Sequence, residues 1–74
     1  MASAVRLYKI LGETIRTERI KSGLSQEELA EKANLTRNYI GQTERAEKRI
    51  TLEALAKIAR ALSVSVSQLT SQLK

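Results

Sequence analysis

The feature of this sequence that most constrains its fold is a pair of helix-start signals in close succession. Ser25-Gln26-Glu27-Glu28 is typical of a capping box, in which the serine hydroxyl accepts from the amide of the last glutamate and that carboxylate accepts from the serine amide. Thr36 is a second residue of the N-cap type. The two signals predict short helices over Ser25–Ala33 and Thr36–Arg45, joined only by Asn34-Leu35. So short a connection favours a sharp crossing of these helices over an antiparallel hairpin.

Three further helices are predicted around this pair. The first runs from about Ala4 to Lys21 and ends before Gly23, which suits the left-handed conformation that follows many helices. A fifth and last helix is predicted from about Ser65 to Leu73. Between them, a fourth helix begins after Thr51 and carries an apolar stripe at helical spacing, formed by Leu52, Leu55, Ile58, Ala59 and Leu62.

These elements predict an all-α fold, a compact bundle of five short helices with a helix-turn-helix formed by the second and third. Val64 and Val66 would also suit a strand, but a single strand would have no partner in this chain. Residues 1–74 are expected to form one domain, with residues 1–4 frayed. A chain this short has a small core, and without Cys or His it has neither disulfides nor a zinc site to support it. We therefore expect oligomerisation.

Composition argues against catalysis and against metal binding. The sequence has no Cys nucleophile, no imidazole base and no typical zinc ligands. The adjacent Glu27 and Glu28 diverge on a helix and are interpreted as first-turn acids that favour the positive end of the helix dipole. We expect no enzyme activity, no cofactor and no metal. With no separate ligand domain in the sequence, we expect no small-molecule ligand either.

Charge and hydropathy indicate a protein that meets nucleic acid rather than a membrane. No signal peptide and no apolar run approaching ~18 residues is present, which predicts a cytoplasmic protein. The chain lacks the Trp and Phe expected of a basic amphipathic membrane binder. Its net charge of +5 has the sign that attracts phosphate. Because Tyr8 and Tyr39 are the only aromatic residues, double-stranded DNA is a better partner than a single strand, which needs stacking surfaces.

The third helix carries a polar face suited to base recognition. Arg37 can pair with O6 and N7 of guanine, and Asn38 and Gln42 can pair with N6 and N7 of adenine. A polar helix face is more often simply solvated, but its position in a tight two-helix unit favours DNA binding. The face consists of Thr36, Arg37, Asn38, Gly41, Gln42 and Arg45.

Two segments of the sequence carry a resemblance to a known family. The run Gly23-Leu24-Ser25-Gln26-Glu27-Glu28-Leu29-Ala30, followed by Tyr39-Ile40-Gly41-Gln42-Thr43-Glu44-Arg45, resembles the Xre/Cro/C1 helix-turn-helix family. The resemblance covers about residues 11–69 and is greatest to the controller proteins of restriction-modification systems. It implies a lambda-repressor-like fold and a bacterial or phage-encoded transcriptional regulator that binds a palindromic operator as a homodimer, one half-site to each subunit.

The resemblance also implies roles for individual residues. Arg19 and Glu44 match a partly buried ion pair that ties the first helix to the third, which keeps both away from DNA. Matching the base-contacting positions of the family are Arg37, Asn38 and Gln42. Matching its phosphate contacts are Gln26, Thr36, Tyr39, Lys48 and Arg49.

Three residues depart from the family pattern. Ala46 stands where a glycine often follows the recognition helix, and a left-handed alanine costs about 1 kcal/mol. The helix is therefore expected to run on or to end differently, which would move Lys48. Thr43 replaces a common aliphatic residue and thins the core. Arg49 replaces a smaller polar residue and is expected to alter the contact with the DNA backbone.

The apolar residues of the last two helices are the predicted dimer interface, although ordinary core packing is an equally good interpretation of each. The second hypothesis for function is an antitoxin-type module whose main partner is a toxin protein. Such proteins often carry an extra segment for that partner, and this sequence leaves little room for one. The predicted interface consists of Leu62, Val64, Val66, Leu69 and Leu73.

Overall fold

The computed structural model describes residues 3–73, which form five helices and no strand. The all-α prediction and the helix-turn-helix formed by the second and third helices are confirmed. Val66 begins the last helix, so the strand interpretation of this segment is wrong. The helices are α1 (Ala4–Lys21), α2 (Gln26–Ala33), α3 (Arg37–Glu44), α4 (Leu52–Ala61) and α5 (Val66–Thr70).

The start of α1, which lies within residues 1–4 that were expected to be frayed, is capped by Ser3. The Ser3 side chain accepts a hydrogen bond from the Arg6 amide at 3.2 Å, and the helix begins at Ala4. Met1 and Ala2, which the same prediction included, lie outside the described residues. A short polar N-cap side chain satisfies an amide that the helix itself leaves without a partner, and this fixes the start.

A close approach between α1 and the end of α3 depends on Gly12. A Cβ atom at this position would lie 2.5 Å from the Thr43 carbonyl oxygen and 2.8 Å from that of Glu44. Any larger residue would push the two helices apart. Gly12 therefore allows α1 to pack directly against the backbone at the end of α3.

The turn between α2 and α3 is closed by Asn34. This residue takes the left-handed conformation, with φ of 55°, and the Leu35 amide donates back to the Ala30 carbonyl at 2.8 Å. Asn tolerates this conformation better than most residues. The capping box predicted at Ser25 is present: its hydroxyl accepts from the Glu28 amide at 3.0 Å, and the Glu28 carboxylate accepts from the Ser25 amide at 2.9 Å. The second of these bonds lowers the pKa of Glu28.

Helix α3 ends in the same way, although alanine rather than glycine stands at position 46. Ala46 has φ of 59°, its amide donates to the Thr43 carbonyl, and the Glu47 amide donates to the Gln42 carbonyl at 2.8 Å. This is the Schellman arrangement. The helix therefore stops at Glu44 and does not run on, so the displacement of Lys48 expected from a longer helix does not occur.

The last two helices differ from the sequence prediction in two places. Leu52 is 76% exposed, because it lies at the open rim of a groove between the start of α1 and the chain after α5. The buried stripe of α4 begins instead at Ala54 and Leu55. Helix α5 starts after Ser65 as predicted, but it ends at Thr70 rather than near Leu73. The Leu73 amide donates to the Thr70 carbonyl, three residues earlier, which makes a tighter turn than an α-helix.

A single apolar core holds the five helices together. Its most deeply buried large side chains come from every helix and are Ile15, Leu29, Ile40, Ile58 and Leu69. Thr43 is also buried, at 3% exposure, and its hydroxyl oxygen forms no hydrogen bond with any residue between 3 and 73. Among these residues no helix is both long and apolar enough to cross a membrane.

Candidate nucleic-acid interface

The start of α3 is fixed by Thr36 and presents two exposed side chains. Thr36 accepts a hydrogen bond from the Tyr39 amide at 3.0 Å through its hydroxyl oxygen, so the helix begins at Arg37. Arg37 and Asn38 are exposed, and Gln42, one turn later, is half-buried. The three predicted base-contacting residues therefore share the outer face of a helix whose first turn also offers unpaired amides to an anion.

A buried ion pair attaches this helix to α1. The Arg19 Nε donates to Oε2 of Glu44 at 2.7 Å, and its Nη2 donates to Oε1 at 3.1 Å. The hydrogen bond with Glu44 raises the pKa of Arg19, against the opposing effect of burial. Nη1 donates to the Leu24 carbonyl at 2.8 Å, which also ties in the chain before α2. Both charged side chains thus form their hydrogen bonds inside the protein, which agrees with the buried ion pair that the resemblance implies.

Gln26 connects the same ion pair to the outer face. It is the first residue of α2, and its Nε2 donates to Oε1 of Glu44 at 3.0 Å. Its Oε1 lies 3.6 Å from the position that a Gly41 Cβ would occupy, at a buried residue of α3. The structure therefore holds Gln26 next to the recognition helix and at the N-terminus of α2, where a phosphate would be favoured.

Tyr39 links α3 to the basic loop that follows it. Its hydroxyl oxygen accepts a hydrogen bond from the Thr51 amide at 3.3 Å, and its ring lies 5.4 Å from the Nζ atom of Lys48. A cation over an aromatic ring at an exposed site contributes about 0.5–1 kcal/mol. The ring therefore restrains Lys48 close to the recognition helix, while the lysine remains exposed.

Arg49 is restrained by the other tyrosine. Its guanidinium carbon lies 5.9 Å from the ring centre of Tyr8 on α1. Lys48 and Arg49 are thus neighbours in sequence but contact aromatic rings from different helices. The arrangement brings Lys48 to the recognition helix and ties Arg49 to α1.

The five predicted interface leucines and valines do not share one exposed surface. Leu62 and Leu69 are buried in the core, at 6% and 1% exposure, so their side chains already pack within the chain. Val64, Val66 and Leu73 are half-buried and pack against the edge of the core. Of the five residues predicted for the dimer interface, these three are the ones whose side chains remain partly accessible to a partner.

A model of the helix-turn-helix family HTH_3 matches residues 15–69. The chain belongs to this helix-turn-helix family. The resemblance to Xre/Cro/C1 regulators is thereby confirmed, and members of the family are DNA-binding transcription regulators rather than enzymes.

Relatives of this helix-turn-helix protein include two control proteins. Control protein C.SmaI from Serratia marcescens is 45% identical over 66 residues, which cover 89% of this chain and 79% of that protein. Control protein C.BamHI from Bacillus amyloliquefaciens is 37% identical over 70 residues, covering 93% and 84%. Among solved structures, the restriction-modification controller protein C.AhdI from Aeromonas hydrophila superposes with a TM-score of 0.83 at 35% identity, covering 84% of this chain and 94% of that one.

The helix-turn-helix also contains a charged contact that sequence reasoning missed. Arg45 follows the last residue of α3, and its Nε donates to Oε2 of Glu47 at 3.0 Å. This bond raises the pKa of Arg45 and lowers that of Glu47. The two residues meet because Ala46 reverses the chain between them. The only signal in the sequence was the position of Arg45 on the polar face of the third helix.

Proposed function

We propose that this chain is a sequence-specific regulator that binds duplex DNA as a homodimer on a palindromic operator. One observation carries the proposal: the exposed face of α3 is rigidly attached to the core through Arg19, Glu44 and Gln26. A recognition helix needs such attachment because hydrogen bonds to base edges tolerate little displacement. The net charge of +5 adds favourable attraction to DNA.

The proposed contacts divide between base edges and the DNA backbone. Arg37, Asn38 and Gln42 contact bases in the major groove, since their donors and acceptors match purine edges. Residues at the N-terminal ends of α2 and α3 and in the basic loop after α3 contact phosphates and set the position of α3 on the DNA. These phosphate-contacting residues are Gln26, Thr36, Tyr39, Lys48 and Arg49.

The biological setting we propose is the control of a restriction-modification system in the cytoplasm of a bacterium, where operator DNA is located. The similarity to C.SmaI, C.BamHI and C.AhdI supports this setting over that of an antitoxin. The neighbouring genes distinguish the two. A methyltransferase or endonuclease gene beside this one is expected, whereas a small toxin gene would favour the antitoxin.

Homodimerisation is proposed through the half-buried residues near α5. Val64, Val66 and Leu73 are the predicted interface residues that remain partly accessible. Val66→Glu should give a folded monomer. A charge buried in the dimer interface is costly, and Val66 lies at the edge of the core, so the core of each subunit stays intact. Leu69→Ala, by contrast, should lower the free energy of unfolding by about 2–5 kcal/mol, because Leu69 lies in the core. Sedimentation at tens of micromolar is the measurement, and a monomeric wild type would contradict the dimer.

The experiment that tests the proposed function is selection from randomised duplex DNA with the wild-type protein. We expect a two-fold symmetric consensus whose half-sites lie about one helical turn apart, near 34–36 Å centre to centre. The same experiment tests DNA binding, symmetry and spacing. Recovery of sequences without a consensus would contradict sequence-specific binding, and an unsymmetric consensus would contradict the dimer on a palindrome.

A further inference from the structure

On the polar face of α3, Gly41 forms a notch that neighbouring side chains cover, so the glycine itself is buried. A Cβ atom at this position would lie 3.1 Å from Nη1 of Arg45 and 3.6 Å from Nη2. The Arg45 side chain therefore lies back along the helix over the turn before it, close against Gly41, where an added methyl group would require the guanidinium to shift by a few tenths of an ångström. Arg37, Gly41 and Arg45 are spaced four residues apart, which puts the guanidinium on the same face as the proposed base contacts.

Glu47 contacts the guanidinium in this position and favours it. Its carboxylate accepts from Nε of Arg45 at 3.0 Å, and the two side chains are 55% and 54% exposed. An ion pair this exposed contributes little to the stability of the fold. Its consequence is orientation, because it restrains a long side chain that would otherwise be free to rotate.

The hydrogen bond with Glu47 leaves the end of the guanidinium free. Arginine has five N–H donors, and Glu47 takes the one on Nε. Within residues 3–73, Nη1 and Nη2 of Arg45 donate to no other side chain or carbonyl. These two nitrogens form a planar fork that can donate two parallel hydrogen bonds to O6 and N7 of guanine.

The charge of Glu47 decides between a base and a phosphate as the contact. A phosphate at this fork would bring an anionic oxygen close to a carboxylate, and the two negative charges would repel each other. The Arg45–Glu47 pair also has no net charge, so it would displace few counterions from the DNA. A guanine edge carries no net charge, so Glu47 does not repel it, and binding to it does not depend on counterion release.

We propose that Arg45, held in the Gly41 notch by Glu47, is a further base-contacting residue that donates to a guanine of the operator. This inference rests on the proposed binding of DNA by α3 and adds a base pair to the site. Glu47 is a positioning residue, which acts on DNA through the orientation of Arg45.

The first test is Arg45→Ala on the operator selected by the wild type. Preference for one G·C pair should fall by roughly 5- to 150-fold, which corresponds to the usual contribution of a bidentate contact. Because Arg45→Ala leaves the Glu47 carboxylate without its counter-charge, the salt dependence is compared in the double variant Arg45→Ala/Glu47→Gln, which keeps the neutral charge of the pair and should match the wild type. A uniform loss of affinity of this double variant on all sequences, with a salt slope smaller by about 0.9, would show a phosphate contact and overturn the proposal. Unchanged preference would overturn it as well.

The matched control is Arg60→Ala, which removes the same charge from the exposed side of α4. It should retain the preference for that G·C pair. Thermal unfolding of both variants checks that each is folded. If Arg60→Ala lost the same preference, the effect would belong to the overall charge and the assignment of Arg45 would be wrong.

The second test is Glu47→Gln, which removes the negative charge and retains the size of the side chain. With Arg45 no longer neutralised, binding to random DNA should become tighter and the salt slope steeper by about 0.9, while the G·C preference weakens. Gly41→Ala should weaken the same preference to a smaller extent, because the added Cβ would lie 3.1 Å from Nη1 and displace the guanidinium by a few tenths of an ångström. A Glu47→Gln protein that matches the wild type in both slope and preference would overturn the positioning role.

The wild-type selection separates this inference from the proposed function. A wild type that selects no consensus contradicts the proposed function itself. A wild type that selects an operator, together with an Arg45→Ala variant that prefers the same bases equally, contradicts only the role of Arg45.

Discussion

Two adjacent side chains, Thr43 and Glu44, have opposite effects on the attachment of α3. Glu44 is buried and accepts three hydrogen bonds, two from Arg19 and one from Gln26. Thr43 is equally buried, but its hydroxyl has no partner among residues 3–73. A buried polar group without a hydrogen bond costs about 1–3 kcal/mol. Glu44 therefore stabilises the attachment of α3, and Thr43, the residue before it, weakens that attachment.

Thr43→Val should stabilise the protein by about 1 kcal/mol, because it removes a hydroxyl that has no partner and keeps the branched shape. Thermal or urea unfolding measures the change. The matched control is Thr17→Val on the exposed side of α1, which should stay within about 0.5 kcal/mol of the wild type. A Thr43→Val protein less stable than the wild type would show that the hydroxyl is satisfied in solution.

Glu44→Gln should destabilise the protein by about 3–5 kcal/mol, because Arg19 would remain buried without a counter-charge. The Glu44 side chain is only 2% exposed, so water cannot replace it. Glu18→Gln makes the same substitution in an exposed pair with Lys21 and should cost no more than about 1 kcal/mol. Urea unfolding of the two variants compares them directly, and equal losses would contradict the buried-pair assignment.

At the scale of the helices, local signals in the sequence were sufficient wherever one residue defines an end. Ser25 and Thr36 were predicted as N-caps, and the fourth and fifth helices were predicted to begin near Thr51 and Ser65. Each of these four side chains accepts an amide hydrogen bond at the start of its helix. These bonds span three residues and depend on nothing distant in the sequence. For that reason the starts of four helices, and with them the helix-turn-helix, could be predicted.

Features that depend on tertiary packing could not be predicted in the same way. The apolar pattern of α4 includes Leu52, but its exposure depends on how α1 and the last turn of the chain lie around it. The contact between Arg45 and Glu47 depends on the left-handed turn at Ala46. In sequence, an alanine gives no indication of that conformation.

Ala46→Gly should stabilise the protein by up to about 1 kcal/mol, since glycine takes a positive φ without the steric cost of a Cβ atom. Ala56→Gly, at an exposed position inside α4, should have the opposite effect and destabilise by about 0.8–1 kcal/mol. Thermal unfolding of the pair gives the comparison. If both variants were destabilised alike, the Schellman end of α3 would be contradicted.

For the whole molecule, the cations beside α3 are expected to determine affinity and the polar face to determine specificity. Lys48 is restrained by the Tyr39 ring but remains exposed, so its charge is available to a phosphate. Phosphate contacts act on every DNA sequence alike, whereas contacts with base edges do not. The two groups of residues can therefore be separated by their response to salt.

Lys48→Ala should weaken binding to all sequences and lower the salt slope by roughly 0.9, because one phosphate loses its cation. Titration of operator and random duplexes over a range of salt concentrations measures both quantities. Lys57→Ala on α4 is the matched control and should leave the slope nearly unchanged. A Lys48→Ala variant that lost only operator preference would instead assign this residue to a base.

The most direct test of sequence-specific binding by α3 is the base preference of Arg37→Ala at every position of the selected operator. Arg37 is exposed at the first position of the recognition helix, and its loss leaves the core untouched. We predict that the preference for one base over the others falls by about 1–3 kcal/mol at one base pair in each half-site, and that the base preference at the other positions stays that of the wild type. A variant with the base preference of the wild type at every position would contradict recognition through this face of α3.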